Sequence, residues 1–195
     1  MKKWKFIIGV DEVGRGPLAG PVAVGAVLAT PRMLWRFRAI KESKQLNPKQ
    51  REAWVLSINA SCGEELSFAV SFVSAGVIDK KGITFAIRTA LRRSLAKLDV
   101  DPESVLVLLD GGLHAPECYS QQKTIIRGDA TETAIAMASV VAKVARDRHM
   151  IRLHKKFPQY DFPRHKGYGT ALHIAAIKKH GLSVLHRKSF CGNFS

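Results

Sequence analysis

A continuous aliphatic run, Val-Leu-Val-Leu-Leu over residues 105–109, closes on Asp110-Gly111-Gly112 and constrains the fold more than any other segment. A strand that is apolar at every position has both faces buried, as in parallel sheets covered by helices on two sides. The residues before it supply a helix. Ile83, Ile87, Ala90, Leu91, Ser94, Leu95 and Leu98 recur at helical spacing, so residues 83–98 read as an amphipathic helix with Arg88, Arg92 and Arg93 outside. A strand reached through such a crossover runs parallel to an earlier one.

The earlier strands are legible too. Residues 6–10 form a short apolar run and Val22–Ala29 another, with β-branched residues and a Gly- and Pro-rich connection between them, which suggests an antiparallel pair. Leu66–Val73 alternates small or polar residues with larger apolar ones and reads as a third strand, and residues 123–126 as a weak short one. Residues from 131 to about 157 favour helix and halt at Pro158. Residues 170–180 form a further helix, with Thr170 as N-cap and Gly181 just past its end. The result is an α/β fold, a mixed sheet with helices packed on it. If the strand at residues 105–109 lies beside the first, Asp11-Glu12 and Asp110 stand at adjacent C-terminal strand ends, where open α/β sheets place their sites.

At 195 residues the chain fits one domain, residues 1–195, whose last part, from about residue 158, is a short helical region. Lysine and arginine number 31 against 16 acids, a net charge of +15. The charge is uneven: +7 over residues 1–60, −2 over 61–120 and +10 over 121–195. Two basic ends around a near-neutral middle point to a polyanion, nucleic acid or anionic membrane. The longest uncharged run, residues 16–30, is too short to span a bilayer and is broken by Pro17 and Pro21. The start MKKWK resembles a signal peptide, but the apolar stretch after it stops at Asp11-Glu12. Cys62, Cys118 and Cys191 are odd in number and far apart, which argues for three buried or idle thiols in a reducing compartment. The expectation is a soluble, cytoplasmic monomer without a membrane partner.

The strongest local signal is Asp11-Glu12-Val13-Gly14-Arg15-Gly16 after an apolar strand. Adjacent carboxylates at a strand end are costly unless something cationic sits beside them. With Asp110 they offer oxygen donors suited to Mg²⁺ or Mn²⁺. The alternative is turn chemistry, with Asp110-Gly111 a plain turn and Asp11 a loop cap. Gly14-Arg15-Gly16 matches neither a P-loop nor a dinucleotide fingerprint. Two glycines around a cation let a backbone approach a sugar or phosphate, or make a tight turn before Pro17. Asp129-Ala130-Thr131-Glu132 reads locally as a capping box opening the long helix. Asp147 reads as the helical ion-pair partner of Lys143, four residues earlier, or as a further candidate acid in place of Asp129. Among seven histidines, His149 and His154 included, no metal-ligand spacing stands out.

DEVGRGPLAGPVAVGAV, ESKQL, LLDGG, RGDA followed by ASVVAKVARDR, FPQYDFPRHKGYGT and HRKSF occur in that order through the chain. Together they closely resemble the bacterial ribonuclease HII family, the type 2 ribonucleases H, from about Ile7 to Phe190. The resemblance implies the ribonuclease H-like fold: a five-stranded mixed sheet, three antiparallel strands then two parallel, flanked by helices. It implies catalytic, metal-holding acids at Asp11, Glu12, Asp110 and Asp129. Gly14, Arg15 and Gly16 would read the ribose 2′-hydroxyl at a junction of RNA and DNA, the group that separates the two chemistries. Tyr168 would pack on the deoxyribose that follows. Ser43, Lys44, Lys143 and Lys166 would contact phosphates, which position a duplex without reading its sequence.

The sequence departs from the family pattern at a few positions. Glu42 stands where Asp is usual and Arg127 where Lys is usual, each keeping its charge, and Ala136 replaces a common Ser while Ser139 remains. The expected activity is hydrolysis of RNA in RNA–DNA hybrids and incision 5′ of single ribonucleotides embedded in duplex DNA. It would leave 5′-phosphate and 3′-hydroxyl ends by a two-metal mechanism with Mg²⁺ or Mn²⁺. A DNA resolvase on the same fold would lack use for the Gly-Arg-Gly and Lys-Gly-Tyr-Gly-Thr elements. A non-catalytic nucleic-acid binder would not keep four acids beside a phosphate. A membrane-surface protein would need bulky apolar anchors on a basic helix, and none is present.

Overall fold

The computed structural model describes residues 4–192. Five strands, β1 (Phe6–Val13), β2 (Val22–Ala29), β3 (Leu66–Val73), β4 (Val105–Asp110) and β5 (Gln122–Ile125), form one sheet in the order β3-β2-β1-β4-β5. β3, β2 and β1 pair antiparallel, β4 joins β1 in parallel and β5 joins β4 in parallel. This is the mixed sheet expected from the aliphatic run and the strands before it.

β1 is longer than its apolar stretch. Its ladder with β2 continues past Val10 through Asp11–Gly25, Glu12–Val24 and Val13–Ala23. A ladder is made by the backbone, so acidic side chains do not end it where the sheet opens to a cleft. β5 begins one residue earlier than its sequence suggests, at Gln122 opposite Val107, and leaves Ile126 85% exposed.

Among the described residues eight α-helices accompany the sheet: α1 (Pro31–Arg36), α2 (Pro48–Ala60), α3 (Ala75–Lys81), α4 (Ile83–Ala96), α5 (Gly128–Thr131), α6 (Thr133–His154), α7 (Phe162–His165) and α8 (Ala171–His180). On one face of the sheet α4 buries Ile87, Ala90, Leu91 and Leu95 against Ile8, Val10, Val22 and Val24. On the other, α6 with α1 and α2 buries Met137, Val140, Val141, Met33 and Ile58 against Val27 and Ala29. Each large aliphatic side chain so buried contributes about 1.5–3 kcal/mol.

Successive strand residues face opposite sides. Ile8 and Val10 therefore point at α4, and Gly9 and Asp11 at α6. The absent side chains of Gly9 and Gly25 let α6 press on the sheet. A Cβ on Gly9 would lie 2.0 Å from the Ala134 carbonyl carbon, and one on Gly25 2.5 Å from the Ala138 oxygen. That approach carries Ser139 of α6 to Asp11.

The capping-box reading of residues 129–132 does not hold. Asp129 lies inside the four-residue α5, and Glu132, in an extended conformation with no side-chain cap bond, separates α5 from α6. Asp129 is pulled instead toward the acids of the sheet. The other cap is as expected: the Thr170 hydroxyl accepts from the His173 N–H and Gly181 ends α8 with φ 73°. Residues 18 and 19, between β1 and β2, pack into the C-terminal part, Ala19 beside Met150, Tyr160 and Phe162, and Leu18 beside Ile177 and Cys191. All three thiols are free, with Cys191 buried and Cys62 and Cys118 exposed. No helix among the described residues is long and apolar enough to cross a membrane.

Candidate active site

The parallel register of β1 and β4 ends at Val10–Leu109, so Asp11 and Asp110 follow it side by side. Asp110 is fixed by the Gly128 N–H, which donates to its Oδ1 at 2.7 Å and ties the start of α5 to the end of β4. Asp129, the next residue, thereby enters the same cleft. The Glu12 N–H donates to Asp11 Oδ1 at 2.7 Å. Glu12 has the Arg15 guanidinium at 3.6 Å, and Asp129 has the Lys44 ammonium at 3.8 Å. The four carboxylates line one cleft of about 280 Å³, together with Gly14, Arg15, Gly16, Ser43, Lys44, Lys143 and Tyr168. Of the sequence-predicted site residues only Lys166 stands outside it, its ammonium turned onto the Pro163 carbonyl.

The Gly14-Arg15-Gly16 loop is held from behind by two arginines, both 0% exposed. Arg187 donates to the carbonyls of Gly14, Arg15 and Gly20 at 2.7, 2.9 and 3.0 Å. Arg146 of α6 donates to the carbonyls of Pro21, Lys166 and Ala19 at 2.9, 3.1 and 3.3 Å, joining this loop to the one that carries Tyr168. Gly14 has φ 87°, and a Cβ there would stand 2.2 Å from Arg146 Nε, so only glycine fits. Gly16 is exposed, with nothing within 4 Å of a Cβ position. Tyr168 is 39% exposed, and its ring is backed by Lys143 Nζ at 5.6 Å and Arg146 Cζ at 5.7 Å.

The family model for Ribonuclease HII matches residues 8–193. The chain is 47% identical over 185 residues to the ribonuclease HII of Synechococcus sp. (strain WH7803), covering 94% of this chain and 93% of that one. This chain belongs to the ribonuclease HII family. It is therefore a nuclease, a hydrolase that acts on nucleic acid. Two solved structures share the fold. One is the PCNA:RNase HII complex from Archaeoglobus fulgidus, with TM-score 0.76, 22% identity and 93% of each chain covered. The other is Bst-RNase HIII in complex with Mn²⁺, with TM-score 0.75, 19% identity and 97% of this chain and 68% of that one covered.

In this member of the family Asp11, Glu12 and Asp129 are held where carboxylates resist ionising. Burial pushes the Asp11 carboxyl up to about 8; the Ser139 hydroxyl opposes the rise, and Glu12, Asp110 and Asp129 add to it. Burial likewise raises Glu12, against Arg15 and Lys44 and with Asp110 adding to the rise. Asp129 is raised by burial and by Asp110, against Lys44. Arg15 and Lys44, with side chains 65% and 84% exposed, are too wet to offset a buried cluster of like charge. An all-oxygen donor set so under-compensated fits a hard divalent cation. Among the described residues no three acidic, imidazole or thiol groups converge as a ready-made cage.

Several members of the site carry no signal in the sequence. The Ser139 and Ser43 hydroxyls share a hydrogen bond at 2.8 Å that joins α6 to the loop before α2. Arg51 donates to the Ser43 carbonyl at 2.9 Å and pairs with Asp147 at 3.9 Å. Asp147 also takes Lys143 at 2.9 Å, the helical pair its spacing suggested. Arg146 and Arg187 lie within the ASVVAKVARDR and HRKSF segments, which do not show that either side chain is buried. Their burial follows from the turn made by residues 14–21, whose carbonyls find no partner in a strand or helix.

Proposed function

We propose that this member of the ribonuclease HII family is an endoribonuclease that hydrolyses RNA in RNA–DNA hybrids. On single ribonucleotides embedded in duplex DNA it incises the 5′ side, leaving 5′-phosphate and 3′-hydroxyl ends. It works as a monomer in the cytoplasm. One observation carries the reading: four carboxylates open into the same cleft as a Gly-Arg-Gly loop exposed at Arg15 and Gly16 and a tyrosine 39% exposed.

Asp11, Glu12, Asp110 and Asp129 would hold Mg²⁺ or Mn²⁺, and the Mn²⁺ bound by Bst-RNase HIII supports a divalent cation on this fold. Such ions, when bound, activate water and take up charge on the leaving oxygen, in the two-metal manner. The protein's own groups do the rest. The open space at Gly16 lets a ribose approach the backbone of residues 14–16, where amide groups can meet a 2′-hydroxyl that is both donor and acceptor. Tyr168 offers an apolar ring face to the following sugar, which accepts a deoxyribose and leaves a second 2′-hydroxyl unpaired. Ser43, Lys44 and Lys143 would steady the phosphates on either side. Lys166 would first have to release the Pro163 carbonyl.

The test compares an RNA–DNA hybrid, duplex DNA with one ribonucleotide, and all-DNA duplex, each with Mg²⁺ and with Mn²⁺. Cleavage of the first two alone is expected, and none by Asp110→Asn. All-DNA duplex cut as fast as hybrid, or full turnover by Asp110→Asn at saturating cation, would overturn the reading.

A further inference from the structure

Beneath the loop that bears Tyr168, three imidazoles lie in contact. His165, His173 and His186 are 6%, 0% and 2% exposed. His165 and His173 stack with ring centroids 4.2 Å apart and planes 19° apart, and His186 follows at 5.2 Å from His173. Their hydrogen bonds leave one arrangement of protons. The Ser183 N–H donates to His186 Nδ1 at 2.9 Å, so the proton of that ring is on Nε2. His186 Nε2 faces His173 Nε2 at 3.2 Å, which must then accept. His173 is left with its proton on Nδ1, and donates it to the Tyr168 carbonyl at 2.9 Å. By the same logic His165 accepts from the Gly167 N–H at Nδ1, 3.1 Å, and donates from Nε2 to the Tyr160 carbonyl, 2.7 Å. All six ring nitrogens have a partner and each ring is neutral. Burial, which holds all three below the ordinary histidine value, agrees.

Tyr168 needs such a hold. It stands between two glycines, and among the described residues its side chain makes no hydrogen bond; Lys143 and Arg146 back its ring from more than 5 Å. Its backbone is gripped on both sides by the imidazole residues. The Tyr168 N–H donates to the His165 carbonyl at 2.9 Å, and its own carbonyl takes the His173 proton as well as the Thr170 N–H at 2.8 Å. The chain of bonds starts at Ser183, four residues before the arginine that secures the Gly14-Arg15-Gly16 loop. One short C-terminal segment thus braces both recognition loops.

We propose that the relay from Ser183 through His186 and His173 to the Tyr168 carbonyl sets the position of Tyr168, making His173 and His186 positioning residues for discrimination at an RNA–DNA junction. The proposal rests on the function argued above and names what in this chain sets its substrate preference. Holding a contact group within a fraction of an ångström is what a site needs, since misplacement by about 1 Å can cost 100-fold in rate.

Two replacements at one position separate positioning from packing. His173→Phe keeps the ring volume and the stack on His165 but makes neither hydrogen bond. His173→Asn has an amide N–H where Nδ1–H stands, and can still donate to the Tyr168 carbonyl. The readouts are kcat and KM on duplex DNA with one ribonucleotide, the same on a uniform RNA–DNA hybrid, and the melting temperature. Tyr168→Ala supplies the floor. His173→Phe is expected to lower the junction-to-hybrid ratio of kcat toward that floor, by about tenfold or more, with KM little changed. His173→Asn restores most of it, although both variants lose thermal stability. His186→Leu and His186→Gln repeat the comparison one residue back: the leucine removes the donor to His173 Nε2, and the glutamine amide replaces it. A His173→Phe or His186→Leu enzyme that keeps the parent ratio would overturn the proposal. So would loss of the ratio in equal measure with every replacement, in step with melting temperature. If the unaltered enzyme leaves the single-ribonucleotide duplex uncut, the proposed function fails and not the relay.

Discussion

Arg187→Lys keeps the charge and most of the length of a buried side chain, yet should damage both stability and recognition. Arg187 spreads its hydrogen bonds over three nitrogens, to carbonyls of Gly14, Arg15 and Gly20. A lysine offers donors from a single atom and cannot reach all three. Two of these carbonyls then lose a charge-assisted bond in a site closed to water, at about 1.5–3 kcal/mol each, or about 3–6 kcal/mol together. For a chain of this size about 1 kcal/mol moves the melting temperature by about 2–4 °C, so a fall of at least about 6 °C is expected. Cleavage of ribonucleotide-containing duplex should fall with it, because the backbone of residues 14–16 is no longer fixed. Thermal melts followed by circular dichroism and single-turnover cleavage measure both. A variant that melts with the parent and cuts at its rate would show that these carbonyls do not need the guanidinium, and that the loop is held by something else.

Gly14→Ala places a methyl 2.2 Å from Arg146 Nε at φ 87°. The left-handed backbone costs about 1–2 kcal/mol and the overpacking about 1–3 kcal/mol, which urea denaturation would register. Acid should destabilise the fold through the histidine cluster. Burial lowers His173 from 6.5 to about 4, so in that range the unfolded chain binds a proton that the folded chain does not. Stability is therefore full above pH 6.5 and lost as pH falls toward 4, with a shallower slope in His173→Asn; identical slopes would contradict this. Asp11→Asn and Asp110→Asn should abolish cleavage while retaining hybrid binding in a gel shift, and loss of binding with cleavage would mean that the acids shape the surface instead. With a net charge of +15, affinity for duplex should fall linearly on a log–log plot against salt, and a flat response would remove the charge from the account.

β1, β2 and β4 were legible because each carries a short apolar run, and the aliphatic strand after an amphipathic helix gave the parallel pairing. α1, α2 and α3 escaped the reading. In α2 only Val55 and Ile58 are buried and Leu56 is 65% exposed, so the helix lacks the apolar stripe that betrays α4. The acids on β1 and β4 could be read locally as a site, while Asp129 looked like a helix cap until the bond from Gly128 to Asp110 placed it. Least legible were the groups that act through backbone carbonyls. Arg146, Arg187 and His173 have no periodicity or partner in sequence, because what they bind are turns whose shape exists only in the folded chain.

The central claim, that acids and recognition loops share one cleft in order to cut beside a ribose, is tested most directly by mapping one cut. Duplex DNA with a single internal ribonucleotide, labelled at its 5′ end, is incubated with the protein and Mg²⁺, then Mn²⁺. The product expected ends one phosphodiester bond 5′ of the ribonucleotide and carries a 3′-hydroxyl. An uncut strand, a cut on the 3′ side of the ribonucleotide, or equal cutting of the all-DNA control would contradict the account.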